Sequence, residues 1–337
     1  MQPVRFINVP VAVHLENSGV KRLANGVAAI NDPRLGRVRQ ILSKYWLHYI
    51  FILPGIVLLF LFAYLPMAGL LIAFQNYKLR PGLAGFFTGK WVGLANFWFL
   101  QDKYFWITLG NTIQITVLRM LVNWPLPIIM ALSLNEMRQL KLRRAIQTVT
   151  YLPHFISWVI AGYMVTQVLA LDTGIVNMVL RSFGTEQVLF LGEPQYFRGI
   201  VILQSAWKGV GFGTIIYLAA LSNVDVSLQE AAMIDGAGRF QRIWHIDLPY
   251  IRPTIVLLLI LSMPGLMSAG YDQIFPLQNP SNMAVSDILD IYVVRLGFVQ
   301  AQYSLSTAIG LFVSLINLGL VLGANKAAKM LGYEGLF

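Results

Sequence analysis

Residues 230–249 have the sequence EAAMIDGAGRFQRIWHIDLP and form a short polar stretch between two long apolar segments. Small residues are concentrated in its first half, so a helix there presents a thin surface that another protein can approach closely. Gly236 and Gly238 permit a sharp break between two short helices, and Glu230 and Asp235 supply acceptors for a basic partner. The stretch therefore predicts a docking loop, although an ordinary amphipathic helix at the membrane surface would share its amphipathic character.

The spacing of small and apolar residues in this stretch carries a family resemblance. The positions that carry it are Glu230, Ala231, Ala232, Gly236, Ile246, Leu248 and Pro249. At these positions the sequence resembles the EAA loop of ABC importer permeases, which are the membrane subunits of ATP-driven importers. The resemblance implies that these residues, together with Asp235 and Ala237, contact a partner ATPase and couple it to transport. We call residues 223–250 the EAA loop.

The composition predicts an all-α, polytopic membrane protein. Hydrophobic residues make up 57% of the chain and charged residues only 12%, which is too little polar surface for a soluble globular protein of 337 residues. A helix needs roughly 20 apolar residues to cross about 30 Å of hydrocarbon. Six segments meet this requirement: Leu47–Phe74, Phe105–Leu134, Thr148–Leu171, Gly199–Leu221, Thr254–Phe275 and Ser304–Asn325. Residues 1–46 are then an amino-terminal arm, and residues 47–337 form a six-helix transmembrane domain.

The distribution of basic residues predicts the topology. Of the 25 lysines and arginines, 16 lie before the first predicted span, after the second, between the fourth and the fifth or in the carboxy-terminal tail, and 7 lie in the alternate loops. The positive-inside rule therefore places both termini and the EAA loop in the cytoplasm. The net charge of +10 reflects this topology, and no nucleic-acid partner is expected.

No nucleotide, metal or redox motif is visible. The chain has no cysteine, and its four histidines show no metal-ligand spacing. Residues 85–91, GFFTGKW, have one residue too few between their glycines for a P-loop and end in tryptophan instead of serine or threonine. Residues 209–213, GVGFG, lie within an apolar span and not after a strand, so they do not form a dinucleotide fingerprint. We expect no cofactor in this chain, and ATP and magnesium on a partner ATPase.

The resemblance extends beyond the EAA loop. The stretches that carry it are YLPHFISW at 151–158, GTIIYLAAL at 213–221, SDILDIY at 286–292 and GYEGLF at 332–337. They resemble permeases of oligosaccharide ABC importers, especially the branch that handles complex plant or algal saccharides. The resemblance covers roughly residues 47–337 and implies several partners in a bacterial cytoplasmic membrane. These are a second, homologous permease, two copies of an ABC ATPase, an extracytoplasmic solute-binding protein and an oligosaccharide substrate.

Two cations, Arg119 and Lys208, fall in the middle of predicted spans. A charge at the bilayer centre costs about 2.5–3.5 kcal/mol or more, so both side chains should face a partner or water, and Asp272 is a candidate partner for either. Side chains that suit sugar binding lie in the same spans: Gln204, Trp207, Tyr217, Tyr271, Gln273 and Asn317. Pairing between helices would explain each charge structurally. The functional alternative is a positive path that favours an acidic sugar such as a uronate oligosaccharide, as in an alginate-type importer.

Two further features bear on the path. Gly209, Gly211 and Gly213 in the fourth span and residues 264–265 in the fifth predict helices that bend around a cavity. The longest outer loop, residues 75–104, is rich in aromatic residues, which is typical of the interfacial belt but also suits contact with a ligand or a soluble partner.

Two other classes of function remain open at this stage. An ion-coupled secondary transporter or channel would be expected to show paired repeats and intramembrane carboxylates, whereas no convincing repeat is visible and Asp272 is the only carboxylate within a predicted span. A membrane-embedded transferase would need clustered catalytic carboxylates, and Asp225 and Asp247 belong instead to the EAA loop.

The predicted topology is tested by single cysteines in this cysteine-free chain. We expect cysteines at Arg143 and Lys329 to be protected from an impermeant thiol reagent in intact cells, and cysteines at Lys90 and Arg295 to be labelled. Labelling of the Arg143 position in intact cells would show that the topology is inverted.

Overall fold

A computed structural model describes residues 33–78, 85–333 and 335–336, which form a helical structure with one minimal strand pair. In chain order the α-helices are α1 (Pro33–Leu59), α2 (Gly85–Thr88), α3 (Lys103–Asn123), α4 (Pro125–Asn135), α5 (Leu140–Tyr151), α6 (Trp158–Val168), α7 (Ile175–Ser182), α8 (Pro194–Leu221), α9 (Val226–Ile234), α10 (Arg239–Arg242), α11 (Leu248–Ser262), α12 (Tyr271–Ile274), α13 (Met283–Ser286), α14 (Leu289–Val294) and α15 (Tyr303–Met330). The all-α prediction is confirmed.

Shorter helical turns and one ladder complete the backbone. Turns of 3-10 helix cover Leu65–Phe74, Gly93–Gln101, Leu152–Phe155, Met263–Met267 and Phe275–Leu277, and π-helical turns cover Phe60–Tyr64, Ile243–Asp247 and Arg295–Val299. Strands β1 (Gln75–Asn76) and β2 (Lys90–Trp91) pair antiparallel, with Gln75 opposite Trp91.

Within the described residues, five helical runs are long and apolar enough to cross a membrane. They are Lys44–Phe74, Lys103–Asn135, Pro194–Leu221, Arg239–Met267 and Tyr303–Met330. Each corresponds to one of the six predicted spans, with boundaries that differ by several residues. In the fifth run the structure begins the helix earlier than predicted, because α10 and the following π-helical turn continue directly into α11.

The remaining predicted span, Thr148–Leu171, is not one continuous helix. α5 ends at Tyr151, a 3-10 turn follows, and Ile156 is extended before α6 begins. Pro153 lies in the 3-10 turn and cannot donate a backbone hydrogen bond, and the hydroxyl of Ser157 accepts from the Ile160 N–H at 3.3 Å and so begins α6. This break was not predicted, because an apolar run continues across it.

The chain divides into two compact units, residues 1–68 and 69–337. In the first, α1 begins at Pro33, so helix extends into the predicted amino-terminal arm, whose residues 1–32 lie outside the described part. Its apolar side chains are mostly exposed: Phe51 and Phe62 keep 80% and 77% of their surface. In a membrane such a surface faces lipid or another subunit.

The second unit is organised around α8. A core cluster joins Ile128 of α4, Tyr217 and Leu221 of α8, and Ile251 of α11. A second cluster joins α8 to α3 and to the segments after residue 268. A third cluster, which includes Phe99, packs α3 against α15. The core therefore holds α3, α4 and α8 together along their lengths.

Glycines in α8 serve close packing and do not break the helix, which runs unbroken through all three positions. A Cβ atom at Gly211 would overlap the backbone carbonyl of Thr150 in α5, and one at Gly213 would approach the ring of Pro127 to 3.2 Å. A Cβ atom at Gly209 would meet nothing within 4 Å. These glycines do not interrupt the fourth span; Gly211 lets α5 and α8 touch, as small residues do between membrane helices.

This packing predicts different effects of alanine at two neighbouring glycines. We expect Gly211→Ala to lower the free energy of unfolding by about 1–3 kcal/mol, because its Cβ atom would overlap the backbone of Thr150 and one of the two helices must shift. Gly209→Ala should leave it unchanged or raise it, because its Cβ points into open space and alanine favours helix. Thermal unfolding of the detergent-solubilised protein measures both. Equal unfolding temperatures for the two variants would refute the close approach.

Candidate functional site

The EAA loop is a helix, a tight turn and a second helix. At its start, the carboxylate of Asp225 accepts a hydrogen bond from the Ser227 N–H at 2.9 Å, which caps α9 and lowers the pKa of Asp225. At the end of α9, the Ala237 N–H donates to the Ala232 carbonyl at 2.8 Å and the Gly236 N–H donates to the Met233 carbonyl at 3.1 Å. This pair of bonds is the Schellman arrangement, which needs a left-handed residue after the helix.

Gly236 supplies that residue, with φ of +82°. Its role in the structure is thus conformational: a Cβ atom there would meet nothing within 4 Å in this chain, but an L side chain is strained at this φ. Two residues later, the side chain of Gln241 accepts from the Gly238 N–H at 2.7 Å and starts α10. The sharp break expected at Gly236 and Gly238 is present.

The first half of the EAA loop is exposed and the second half is anchored. The side chains of Glu230, Ala231 and Asp235 are exposed. Large apolar side chains beside them are exposed as well, with Ile234 at 87% and Phe240 at 88%. Exposed apolar residues of this size suit a surface that another protein or the membrane covers.

The anchored half packs into the fold. Leu248 contacts the core cluster of α4, α8 and α11, and Ile246 and Pro249 are half-buried. Ala232, Gly236, Ala237 and Ile246 also line an open cavity of about 410 Å³. The predicted residues of the loop therefore belong to two functions: some form a free surface, and others fix that surface to the spans.

Two polar contacts, which were not predicted, hold the loop to the end of α4 and its two halves to each other. Arg242 forms an ion pair with Glu136 at 3.0 Å, just after the end of α4. Gln229 in α9 donates to the carboxylate of Asp247 at 2.7 Å, and Asp247 is fully buried. These contacts join residues about 18 to 106 positions apart, so no local pattern indicates them.

The second group of predicted site residues lies within the spans, and there Lys208 contacts the break between α5 and α6. Its ammonium group donates to the backbone carbonyl of His154 at 2.5 Å. It also lies 5.0 Å from the centre of the Trp158 ring, in the range of a cation–π contact. The side chain keeps only 7% of its surface. Lys208 thus satisfies a carbonyl that the helix break leaves free.

Arg119 contacts a second break, residues 268–270, between the 3-10 turn that follows α11 and the start of α12. Its guanidinium donates to the carbonyl of Ala269 at 2.9 Å and to that of Ser268 at 3.2 Å. It also donates to the side chain of Gln273 at 3.3 Å. Gly270 has φ of +90°, a conformation that favours glycine and turns the chain here.

Asp290, not Asp272, is the carboxylate near Arg119. Asp290 accepts from the Gly270 N–H at 3.1 Å and from the hydroxyl of Ser268 at 3.1 Å, and its charge interacts with that of Arg119. The two ion pairs among the described residues, Arg242–Glu136 and Arg295–Asp287, do not include Asp272, which is exposed. The expectation that Asp272 pairs with Arg119 or Lys208 was wrong, because α12 turns its side chain outward.

The other predicted path residues do not share one surface. Gln273 donates to the side chain of Gln204 at 3.3 Å, so Arg119, Gln273 and Gln204 form one hydrogen-bonded chain. Trp207 and Gln204 both line an apolar cavity of about 300 Å³, which Arg119 and Gln273 do not line. The others are scattered: Tyr217 is in the core, Tyr271 stacks on Phe275 at 4.9 Å, and Asn317 is half-buried in α15.

Arg119 lines an open cavity of about 420 Å³. Two side chains of this cavity have buried polar atoms without a hydrogen-bond partner among the described residues, Asn123 at Oδ1 and Trp124 at Nε1. Buried polar atoms are usually paired, so these two atoms are exceptions beside Arg119. Neither residue was among the predicted site residues.

A helical membrane chain with an exposed EAA loop is the membrane subunit of an ABC importer. Residues 123–325 match the family described as the binding-protein-dependent transport system inner membrane component. The chain belongs to this family. It is a multi-pass permease subunit, and ATP hydrolysis takes place on a separate subunit.

Individual relatives and solved structures are similar over most of their lengths. Protein LplB of Bacillus subtilis is 44% identical over 87% of this chain and 91% of that protein. The polygalacturonan/rhamnogalacturonan transport system permease protein YteP of Bacillus subtilis is 42% identical over 89% of this chain and 92% of that protein. A chain in the crystal structure of a bacterial ABC transporter involved in the import of the acidic polysaccharide alginate matches with a TM-score of 0.81 and 36% identity, covering 87% of this chain and 99% of that chain.

The structure of the EAA loop predicts which substitutions uncouple transport. We expect Ala231→Trp to reduce ATP-driven uptake at least about tenfold, equivalent to roughly 1.4 kcal/mol, because a bulky side chain blocks the exposed docking surface. Gly236→Trp should do the same by both bulk and strain. Gly236→Asn is the control for the turn, because asparagine tolerates positive φ, and it should keep most of the activity.

Uptake and co-purification of the ATPase are measured in parallel for each variant. Unchanged uptake with Ala231→Trp would show that this surface does not dock the ATPase. Loss of activity with Gly236→Asn equal to that with Gly236→Trp would show that the turn tolerates nothing but glycine, and would remove the argument from bulk at that position.

Proposed function

We propose that this chain forms the translocation path of an importer for acidic oligosaccharides. The observation that carries the proposal is the similarity of this chain to two other proteins over nearly their whole lengths. One is a permease chain of an alginate importer, and the other is a permease named for polygalacturonan and rhamnogalacturonan. Both names denote uronate-containing polysaccharides. Oligosaccharides of this kind carry a carboxylate on their uronic acid units, and a permease for them needs a path that tolerates repeated negative charge.

Arg119 is the residue that supports an anionic substrate. A guanidinium has five N–H donors, and the contacts with residues 268, 269 and 273 use three of them. The others remain available toward the cavity that Arg119 shares with Asn123 and Trp124. Asp290 accepts from the Gly270 N–H of the same break and offsets part of the charge of Arg119.

Lys208 supports the path indirectly. Its ammonium group is buried against the His154 carbonyl and the Trp158 ring, which fixes the break between α5 and α6. We therefore assign Lys208 to the structure of the path and Arg119 to the substrate. Gln204 and Gln273 extend the polar surface from Arg119 toward α8.

The proposed complex contains a second, homologous permease, two ABC ATPases that bind ATP and magnesium, and an extracytoplasmic solute-binding protein. The exposed apolar residues of the EAA loop support the ATPase contact. The binding protein is supported by a second solved structure with a TM-score of 0.81, described as the bacterial alginate ABC transporter in complex with an alginate pentasaccharide-bound periplasmic protein. The low burial of the spans within this one chain supports contacts with lipid and with the second permease.

The proposed topology has six membrane crossings in a bacterial cytoplasmic membrane, with both termini in the cytoplasm. The third crossing is then made by the last turn of α5, the 3-10 turn and α6 together, because α6 alone spans only about 16 Å. The distribution of basic residues supports this orientation, which places the EAA loop beside the ATPase.

An uptake assay with paired substrates tests the proposal. In the assembled importer, Arg119→Gln should reduce uptake of an alginate pentasaccharide by about tenfold relative to a neutral pentasaccharide. This is the lower end of the increase in association rate that charges lining a cleft give an oppositely charged substrate. Arg119→Lys keeps the charge and should preserve the preference for the acidic sugar. Lys208→Met should reduce both substrates equally, because it damages the helix break and not the recognition of charge.

The amount of each assembled complex is measured to separate folding from transport. If Arg119→Gln reduces acidic and neutral uptake to the same extent, Arg119 does not select anions. If the unmodified importer transports only the neutral sugar, the assignment to acidic oligosaccharides fails.

A further inference from the structure

A cavity of about 430 Å³ lies between the aromatic loop of residues 75–104 and the segment that follows α13. The side chains that define it are Trp98, Tyr104, Tyr292, Arg295, Gln300 and Gln302. It shares no lining residue with the cavity of Arg119 or with that of the EAA loop. In the proposed topology both segments belong to the outer face.

One wall of the cavity is a guanidinium held in a fixed position. Arg295 pairs with both carboxylate oxygens of Asp287, at 2.7 and 3.2 Å, and Asp287 keeps only 2% of its surface. Arg295 also donates to the hydroxyl of Tyr104 at 3.1 Å, and that hydroxyl donates to Asp287. The centre of the guanidinium lies 5.8 Å from the Tyr104 ring and 5.6 Å from the Tyr292 ring.

This arrangement leaves Arg295 with donors but little net charge. Three contacts use three of its five N–H donors, and the paired carboxylate cancels its charge. A planar group fixed in this way loses little entropy when it donates to a ligand. It suits hydroxyl groups better than a free carboxylate, since the charge is already paired.

The opposite side of the cavity offers an aromatic face and amides. Trp98 keeps 54% of its surface. The side chains of Gln300 and Gln302 are exposed, and Gln302 donates to Gln300 at 3.3 Å. An exposed indole beside several hydrogen-bonding groups is the combination that binds a sugar ring, because the ring has an apolar face and a polar edge. Aromatics of an interfacial belt need no such polar cavity.

We propose that this cavity is a saccharide subsite on the outer face, which binds one sugar unit by stacking on Trp98 and by hydrogen bonds to Arg295, Gln300 and Gln302. This inference rests on the proposed function for the class of substrate and for the orientation of the chain in the membrane. The subsite does not discriminate charge, so it binds neutral and acidic units alike. It lies on the side at which the solute-binding protein delivers the oligosaccharide, before the sugar reaches Arg119.

Protection of a single cysteine tests the subsite directly. The importer is assembled without its solute-binding protein, and only the labelling of this chain is measured. We expect Gln300→Cys to react with an impermeant maleimide. An alginate pentasaccharide and a neutral pentasaccharide should both slow the reaction. Lys90→Cys lies in β2, outside the cavity, and should react at the same rate with and without sugar.

Trp98 is tested against a tryptophan of the same loop. In the Gln300→Cys protein, Trp98→Ala should raise the sugar concentration needed to protect the cysteine about two- to tenfold. Trp98→Phe should restore most of the protection, because a phenyl ring still stacks on the sugar. Trp91→Ala is the matched control, since Trp91 is 59% exposed and does not line the cavity.

The outcomes separate this inference from the substrate class. Protection by the neutral sugar alone supports a sugar site here, but it overturns both the binding of acidic units by this subsite and the acidic assignment. Absence of protection by either sugar, equal protection at Lys90, or a Gln300→Cys that does not react because another subunit covers it would each overturn the subsite. Equal effects of Trp98→Ala and Trp91→Ala would overturn the role of stacking.

Discussion

The structure depends on how broken membrane helices satisfy their backbone carbonyls. Within the bilayer, a carbonyl that loses its helical partner has no water to bond, so each break needs a donor from elsewhere in the protein. The two intramembrane cations supply it. Lys208 donates to the break after α5, and Arg119 donates to the break at residues 268–270. The cost of placing a charge in the membrane and the cost of interrupting a helix therefore offset each other.

This arrangement links the EAA loop to the proposed sugar path. From Arg239 to Met267 the chain is continuously helical, a length of about 43 Å. One end follows the Gly236 turn, and the other ends at the break that Arg119 contacts. Because the Arg242–Glu136 ion pair also ties the loop to α4, a displacement of the loop by the ATPase would be carried to the carbonyls around Arg119. This geometry supports the proposed coupling.

The sequence predicts what is local and misses what is long-range. The turn at Gly236 follows from glycine chemistry, and five spans follow from hydropathy. The break after α5 was missed because apolar composition does not distinguish a helix from an interrupted one. Asp290 was missed as the partner of the 268–270 break because the contact depends on how α14 packs, whereas Asp272 is closer in sequence but points outward. Tyr217 suits a sugar by type, yet its burial places it in the core.

Hydrogen–deuterium exchange of the assembled importer tests the central claim, that each cation stabilises its own helix break. The account predicts faster amide exchange at residues 268–271 in Arg119→Gln, with residues 155–158 unchanged, and the reverse in Lys208→Met, because each variant frees a different set of carbonyls. Exchange that stays unchanged at both breaks, or that rises uniformly in either variant, would contradict it.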